Sequence, residues 1–534
     1  MKDEALIGGA WLAARHGIEL VAPLAVTSRI GGRRTTGMVD GMASETFVPA
    51  MRPAPDLRGH LTFHLKHEVP HLELLARLFG CIDPGELTAW IDAEPGGQYA
   101  RRAGFLFEWL TGDRLPITAA PSGGYVDALD PSKLVTASPD RAVPHRRWRV
   151  RDNLPGTPAF CPMIRRTRAF DRAASLDIPA LLAELEQEFG EDLLMRSAVW
   201  MTLRESRSSF AIEGEADQTD RIQRFADVLA RRTGQGPVPL DDASLAQLQS
   251  AILGPRHSLP KLGVRESPVF VGEVIRYQEV IHYLAPPAAE MPGMLAGLAA
   301  FLDRTQDQAP MMRCAAGSFG FVYIHPLADG NGRVHRFLIN DLLRRDGAVP
   351  EPLILPVSSL MTRNAAERRA YDRILDALSR PLMSAIAGLH AFGATQTVYP
   401  DGVRSIIEFW GAAIAQPAWR YPDLTPHVVY LADAVERTIR EDMRGESLLL
   451  RSHAQARAAI KTIIEMPDMQ IDRIIRSVRS GGGTLSGLLR RELPLLAEPG
   501  IWDSVVEAVN RAFIALTPPA TAPRTAPGSS PPPG

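Results

Sequence analysis

A chain of 534 residues is longer than one hydrophobic core usually serves, and its apolar, aromatic and charged fractions are those of an ordinary globular protein, so two or three domains are expected. A net charge of −2 argues against wholesale electrostatic binding to nucleic acid or to a membrane surface, and no segment approaches the roughly 20 apolar residues that span a bilayer. Cys81, Cys161 and Cys314 lie far apart without metal-ligand spacing, and the first residues lack a secretory leader; both suit a reducing cytoplasm.

Residues 1–165 predict a mixed α+β region. Short β-like runs (18–26, 125–129 and 148–154) sit among glycine and proline punctuation, with one helical stretch from His71 to Phe79. From Asp177 apolar residues recur at three- and four-residue spacing as far as Gly214, the pattern of helix. Further helices are expected over 219–232, 242–253, 292–304, 311–323, 332–345, 365–378 and 382–391. Residues 266–287 between them predict a β-hairpin. The remainder, 396–516, predicts a helical domain (404–415, 427–443, 449–464 and 468–479) with a loop at Gly481–Gly483. A Pro-, Ala- and Ser-rich tail, 517–534, has nothing to bury and is expected to be disordered. The fold class expected is mainly α, with a helical core over 170–395.

The segment from His325 to Arg336, HPLADGNGRVHR, carries the chemistry. Pro326 ends an apolar helix at His325. Asp329 is placed to N-cap the next helix, and Gly347 to end it. Gly330 and Gly332 flank Asn331, so the backbone there curls with its N–H groups inward. With the positive end of the helix they form an anion site. Arg333 and Arg336, three apart, share a side of the helix and suit phosphate oxygens. A carboxylate at Asp329 beside phosphate calls for a divalent cation, and a hard, oxygen-seeking ion such as Mg2+ fits best. His325, with an ordinary pKa of about 6.5, suits a general base. The assembly is one for phosphoryl or nucleotidyl transfer. By composition such a pattern arises by chance in a chain this long on the order of once in 10⁵.

These residues resemble the signature of Fic-domain proteins, His-Pro-Phe-x-[Asp/Glu]-Gly-Asn-Gly-Arg-x-x-Arg, with Leu327 in place of the usual Phe. The likeness extends over roughly 175–395. It implies a protein adenylyltransferase that moves AMP from Mg-ATP to a Tyr, Ser or Thr hydroxyl of a target protein. His325 would deprotonate the hydroxyl and Asp329 would hold Mg2+. Gly330, Asn331, Gly332 and Arg333 would bind the α- and β-phosphates, and Arg336 the γ-phosphate. A branch that phosphorylates its targets resembles this motif but carries Lys at the place of Gly332, so glycine favours nucleotidyl transfer. The hairpin resembles the family's flap, which aligns the target by strand pairing; Gly272, His282 and Tyr283 are its candidate contacts. Tyr371 is a candidate neighbour of the nucleotide base.

Ser209-Phe-Ala-Ile-Glu213-Gly214 matches the family's inhibitory motif, [Ser/Thr]-x-x-x-Glu-[Gly/Asn], at the end of a helix (about 195–215) upstream of the core. So loose a pattern occurs about once per thousand residues by composition, and its placement gives it weight. The resemblance implies that Glu213 pairs with Arg336 and withholds it from the γ-phosphate. The same resemblance keeps open removal of AMP from a modified protein; a non-catalytic nucleotide-binding regulator is the alternative from another class, against which an intact His325, Asp329 and Arg333 argue, and a homodimer whose contacts relieve the brake stays open.

Other signals weigh less. His67-Glu-Val-Pro-His71 has the His-Glu-x-x-His form of a zinc protease, but Pro70 breaks the shared helical turn that chemistry needs, so exposed or capping histidines are expected. His60 and His64 are expected on a surface, as is His335. The arginines 451, 457, 473, 476 and 479 are expected to coat solvated helix faces rather than bind DNA.

Overall fold

A computed structural model describes residues 6–39, 42–215, 218–255, 257–275 and 278–514; the tail expected to be disordered lies outside the described residues. Among the described residues the chain is mainly helical with four small sheets. Two compact units emerge, one of Met1–Ile178 with Thr202–Glu436 and one of Pro179–Met201 with Arg437–Gly534, as far as their described residues go.

In the first unit the amino-terminal part is more helical than its sequence suggests. Helices Gly8–Arg15, Leu57–His67, Pro84–Ala93 and Gln98–Thr111 join the expected one, Leu72–Phe79. Their apolar faces close a core of Leu61, Leu65, Leu75, Leu78, Ile91 and Leu106 around Trp148. The run 18–26 is not a strand. The buried carboxylate of Glu73 accepts hydrogen bonds from the Val21 and Ala22 N–H groups at 2.8 and 3.0 Å, so a side chain takes the role a neighbouring strand would have had. Strand Thr27–Ile30 follows instead, parallel to Met42–Phe47, which pairs antiparallel with Thr35–Val39.

The core of this unit's second half is assembled around two consecutive helices, Pro310–Ile324 and Asn331–Arg345. The first is buried on nearly all sides, as expected of a helix that is apolar all round. Helix Met291–Arg304 packs on it. Glycines set the spacing: a Cβ at Gly297 would lie 2.6 Å from the Phe160 carbonyl oxygen, and one at Gly317 2.5 Å from Leu342. Phe160, fully buried, thereby seats on the core helices. Helices Thr219–Arg232, Asp242–Leu253 and Ala365–Ala385 complete the surround. Asp241 and Asn364 cap the last two, each accepting backbone N–H bonds of 2.9–3.0 Å, worth about 1 kcal/mol apiece.

The stretch 390–409 differs from expectation. It is not helix but a hairpin, His390–Val398 against Arg404–Phe409. Tyr399-Pro-Asp-Gly402 supplies a turn, with Gly402 at φ +78°, and the β-branched Ile406 and Ile407 favour strand. The helix expected from 404 begins only at Ala412.

In the second unit, helix Arg444–Ile463 packs with Asp468–Ser480 and Ile501–Phe513 around Ile460, Ile471, Ile474, Ile475 and Val505. Arg457 forks onto Asp472 at 2.6 Å, and Arg479 lies over the Phe513 ring. Arg473 pairs with Glu492 and Arg451 lies over Phe189, so four of the five arginines are engaged locally.

Candidate active site

His325 closes helix Pro310–Ile324 in the left-handed region, at φ 54° and ψ 55°, a conformation that costs a non-glycine residue of order 1 kcal/mol. Its half-buried ring is fixed by a hydrogen bond from Nδ1 to the Val322 carbonyl at 3.1 Å. That bond places the ring proton on Nδ1 and the basic lone pair on Nε2. Burial pushes the His325 pKa down to about 4, with Arg265 adding to the effect, so the imidazole is neutral at physiological pH.

The loop that follows is held from inside. Asn331 accepts from the Leu327 N–H at 2.9 Å and donates to the Leu327 carbonyl at 2.7 Å, so its carboxamide serves the loop itself. Leu327 is fully buried at the position where the signature has Phe. Gln249 donates to the Asp329 carbonyl and accepts from the Gly263 N–H, both at 2.8 Å. Gly330, at φ +92°, is the N-cap of helix Asn331–Arg345; Asp329 is not, because Arg333 takes its carboxylate at 3.0 Å. No side chain caps this helix, so its first N–H groups face the loop.

Both motif arginines are buried and both meet carboxylates of the chain itself. Glu213 reaches Arg336 with one carboxylate oxygen and lies 3.0 Å from Arg333 Nε with the other. Arg333 also lies 3.7 Å from Glu215 and over the Phe210 ring. Ser209 accepts from Arg336 Nε through its hydroxyl at 2.6 Å and from an Nη through its carbonyl at 3.2 Å. Against the effect of burial, Glu213 keeps the Arg336 pKa raised. Gly332 makes this approach physically possible: a Cβ there would stand 2.3 Å from a Glu213 carboxylate oxygen. The helix that delivers Ser209 and Glu213, Glu191–Ile212, is anchored at Glu205. This buried carboxylate accepts from Ser358 N–H and hydroxyl, and burial raises its pKa to about 7.

The hairpin is present as Phe270–Ile275 against Gln278–Leu284, irregular between Val271 and Gly272. A Cβ at Gly272 would sit 2.5 Å from the Val280 carbonyl oxygen, so only glycine fits. His282 and Tyr283 point to opposite faces, as strand pleating demands. His282 is exposed and pairs with Glu273 at 3.0 Å, whereas Tyr283 is buried with its hydroxyl on the Tyr323 carbonyl. Tyr371 is also buried, beside Arg336, His335 and Tyr430.

Three histidine expectations are corrected. His335 is fully buried, bonded to the Ser318 carbonyl at 2.8 Å and packed on Phe319, because the motif helix is enclosed on this side as well. His60 and His64 are buried under the first helix: His60 accepts from Gly8 N–H and stacks on Trp11, and His64 lies 2.6 Å from Glu68. His67 and His71 are separated by a helix end. His71 caps the next helix by accepting from Leu74 N–H at 3.2 Å, so the zinc pattern does not form. Sequence reading missed Gln249, Arg265, Glu205 and Glu215 as parts of this site. The serine of the inhibitory motif was the one signal for Ser209.

A histidine at a helix end, a glycine loop opening the next helix and two buried arginines above it make up a helix–loop–helix site. Residues 239–343 match the Fic/DOC family model, and the chain carries a Fic/DOC domain. The protein adenylyltransferase fic-1 of Caenorhabditis briggsae is 32% identical over 118 residues, 20% of this chain and 22% of that protein. The protein adenylyltransferase Fic of Nematostella vectensis is 27% identical over 179 residues, 31% and 36% of the two chains. That of Drosophila ananassae is 36% identical over 95 residues, 17% and 18%. The chain thus spans about a fifth to a third of the length of these relatives. A solved Fic family protein from Desulfovibrio desulfuricans G20 is 20% identical, with a TM-score of 0.35, over 66% of this chain and 88% of that one.

Proposed function

We propose that the chain transfers AMP from Mg-ATP to a hydroxyl of a target protein and rests in a self-restrained state. The observation that carries this reading is the single carboxylate of Glu213 on both motif arginines, directly above the loop that follows His325. The names of the relatives, protein adenylyltransferases, support the direction of the chemistry. In this reading the uncapped helix start and Arg333 hold the α- and β-phosphates, and Arg336 takes the γ-phosphate once Glu213 withdraws. His325 Nε2 accepts the proton of the attacking hydroxyl as its oxygen bonds to the α-phosphorus and pyrophosphate departs. The edge of the hairpin offers the target a strand to pair with. Asp329 fits a Mg2+ role: its side chain is half exposed on the loop, with hard oxygen donors, and Mg2+ habitually takes one carboxylate plus phosphate oxygens and water. Bound there, the ion would neutralise phosphate charge.

The deciding experiment incubates wild type, Glu213→Gly, and Glu213→Gly with His325→Ala in α-³²P-ATP and Mg2+. Label that accumulates on protein in the glutamate variant and vanishes with the histidine is the expected result. Absence of label from every variant, on itself and on a cell lysate, would refute the reading.

A further inference from the structure

Arg265 stands just before the hairpin and is 2% exposed. Among the described residues its side-chain hydrogen bonds go to neutral acceptors. Nε donates to the His325 carbonyl at 2.8 Å, one Nη to the Ser267 carbonyl at 2.6 Å, and the other to the Pro286 carbonyl at 2.6 Å and the Met291 sulfur at 3.5 Å. Its backbone N–H reaches the Pro326 carbonyl at 2.8 Å, and Val264 bridges to Leu327.

A buried guanidinium whose hydrogen bonds, among the described residues, go to three carbonyls and a sulfur, with the Asp401 carboxylate acting on it only through space, is an expensive way to fill space, and an apolar side chain of similar volume would fill it at less cost. The three carbonyls identify what the charge does instead. One belongs to His325, where the helix has ended and the residue sits in the left-handed region; a cation there also meets the negative end of that helix. The other two flank the hairpin, Ser267 ahead of Phe270 and Pro286 behind Leu284. A planar fork can hold three such groups in fixed relation, which a lysine cannot. Asp401, at the tip of the second hairpin, steadies the same root by accepting the Glu266 and Ser267 N–H bonds at 2.8 and 2.9 Å.

We propose that Arg265 is a positioning residue: its grip on the His325, Ser267 and Pro286 carbonyls fixes the catalytic base relative to the strand pair that presents the acceptor. The inference rests on the proposed function for the roles of His325 and the hairpin. Its geometric content, the coupling of these two segments, is testable apart from activity.

The test uses the Glu213→Gly protein as parent, with Arg265→Met and Arg265→Lys added separately. Self-labelling from α-³²P-ATP is followed as a function of ATP concentration, and backbone hydrogen exchange is mapped on each variant. The methionine variant should label about 100-fold more slowly at saturating ATP, as expected for a small misplacement of a reacting group. Its half-saturating ATP concentration should stay within about twofold of the parent, and lysine should recover part of the rate. Exchange should rise together in 266–287 and around His325 while 331–345 stays protected. Labelling at the parental rate would overturn the proposal. So would a parallel loss of ATP affinity and of protection throughout the unit, which would mark a merely structural arginine. Should the methionine variant fail to fold, the lysine variant is judged by the same criteria. If the parent itself does not label, the functional reading fails, and the exchange map still decides the coupling: joint loosening of both segments upholds it, and loosening of one alone rejects it.

Discussion

Replacing Glu213 by glycine removes one carboxylate from two arginines, and the consequence for nucleotide affinity can be worked from the geometry. Arg333 and Arg336 have side chains 4% and 2% exposed, and Glu213 is 25% exposed. A unit charge pair about 4 Å apart near a protein surface, at an effective dielectric of about 20, is worth about 4 kcal/mol. The partial exposure of Glu213 brings this down to about 2 kcal/mol. An incoming triphosphate must displace the carboxylate, so its removal should tighten Mg-ATP binding by that amount. This is about 30-fold at 1.4 kcal/mol per decade. Isothermal titration calorimetry on wild type, Glu213→Gly and the isosteric Glu213→Gln checks the figure, and glutamine should deliver most of the gain. The ligand-free variants should also unfold at lower temperature, because buried Arg336 loses its paired carboxylate and Arg333 keeps only Asp329 and Glu215, and Mg-ATP should restore more stability to them than to wild type. A dissociation constant within twofold of wild type, in a folded variant, would refute competition between Glu213 and phosphate.

Other expectations follow from the same coordinates. Because the His325 pKa is pushed down to about 4, labelling by the Glu213→Gly protein should hold level from about pH 8 to 5.5 and fall only below that; an acid limb centred near 6.5 would contradict the assigned burial. His60, His335 and His427, the last fully buried against the Tyr323 hydroxyl at 2.6 Å, are held neutral in the fold, with pKa values pushed by burial to about 4, 3 and 4, whereas the unfolded chain takes up protons below about 6.5. Their contribution to stability is therefore complete above pH 6.5 and is lost as pH falls toward 4, which thermal unfolding at pH 7.5, 6 and 5 would register. Glu215 stands 3.7 Å from Arg333, so adding Glu215→Gln to Glu213→Gly should raise the labelling rate a further two- to fivefold, roughly the worth of one partly exposed pair; no further rise would remove Glu215 from the brake. Phe160→Ala should cost about 3–5 kcal/mol, read in denaturant unfolding, since the ring is fully buried against helices whose glycines were spaced to receive it.

The long helices were legible because each buries one stripe at helical spacing, and helices such as Thr219–Arg232 and Asp242–Leu253 begin and end where that spacing begins and ends. The motif from His325 to Arg336 was legible because its chemistry is contiguous in the chain. What escaped depends on partners distant in sequence. Nothing in the neighbourhood of Arg265 announces that its acceptors lie at 267, 286 and 325, and nothing near Val21 announces Glu73. The hairpin at 390–409 was misread although Tyr-Pro-Asp-Gly is a turn signal, because the apolar residues after it also fit helical spacing. The buried histidines share one cause: their hydrogen-bond partners, such as the Ser318 carbonyl for His335 and the Gly8 N–H for His60, are distant in sequence, so nothing local marks them as interior.

The empty side of Gly332 links two positions that lie more than a hundred residues apart. A side chain on residue 332 would meet the carboxylate of Glu213 where it now stands, so one of the two must shift. The two sites are therefore epistatic, and the order of change matters. A lineage that first loses Glu213 is free to elaborate position 332 and gain a new contact to the bound nucleotide. A lineage that elaborates position 332 first displaces the Glu213 carboxylate in the same step, before its new contact has been refined.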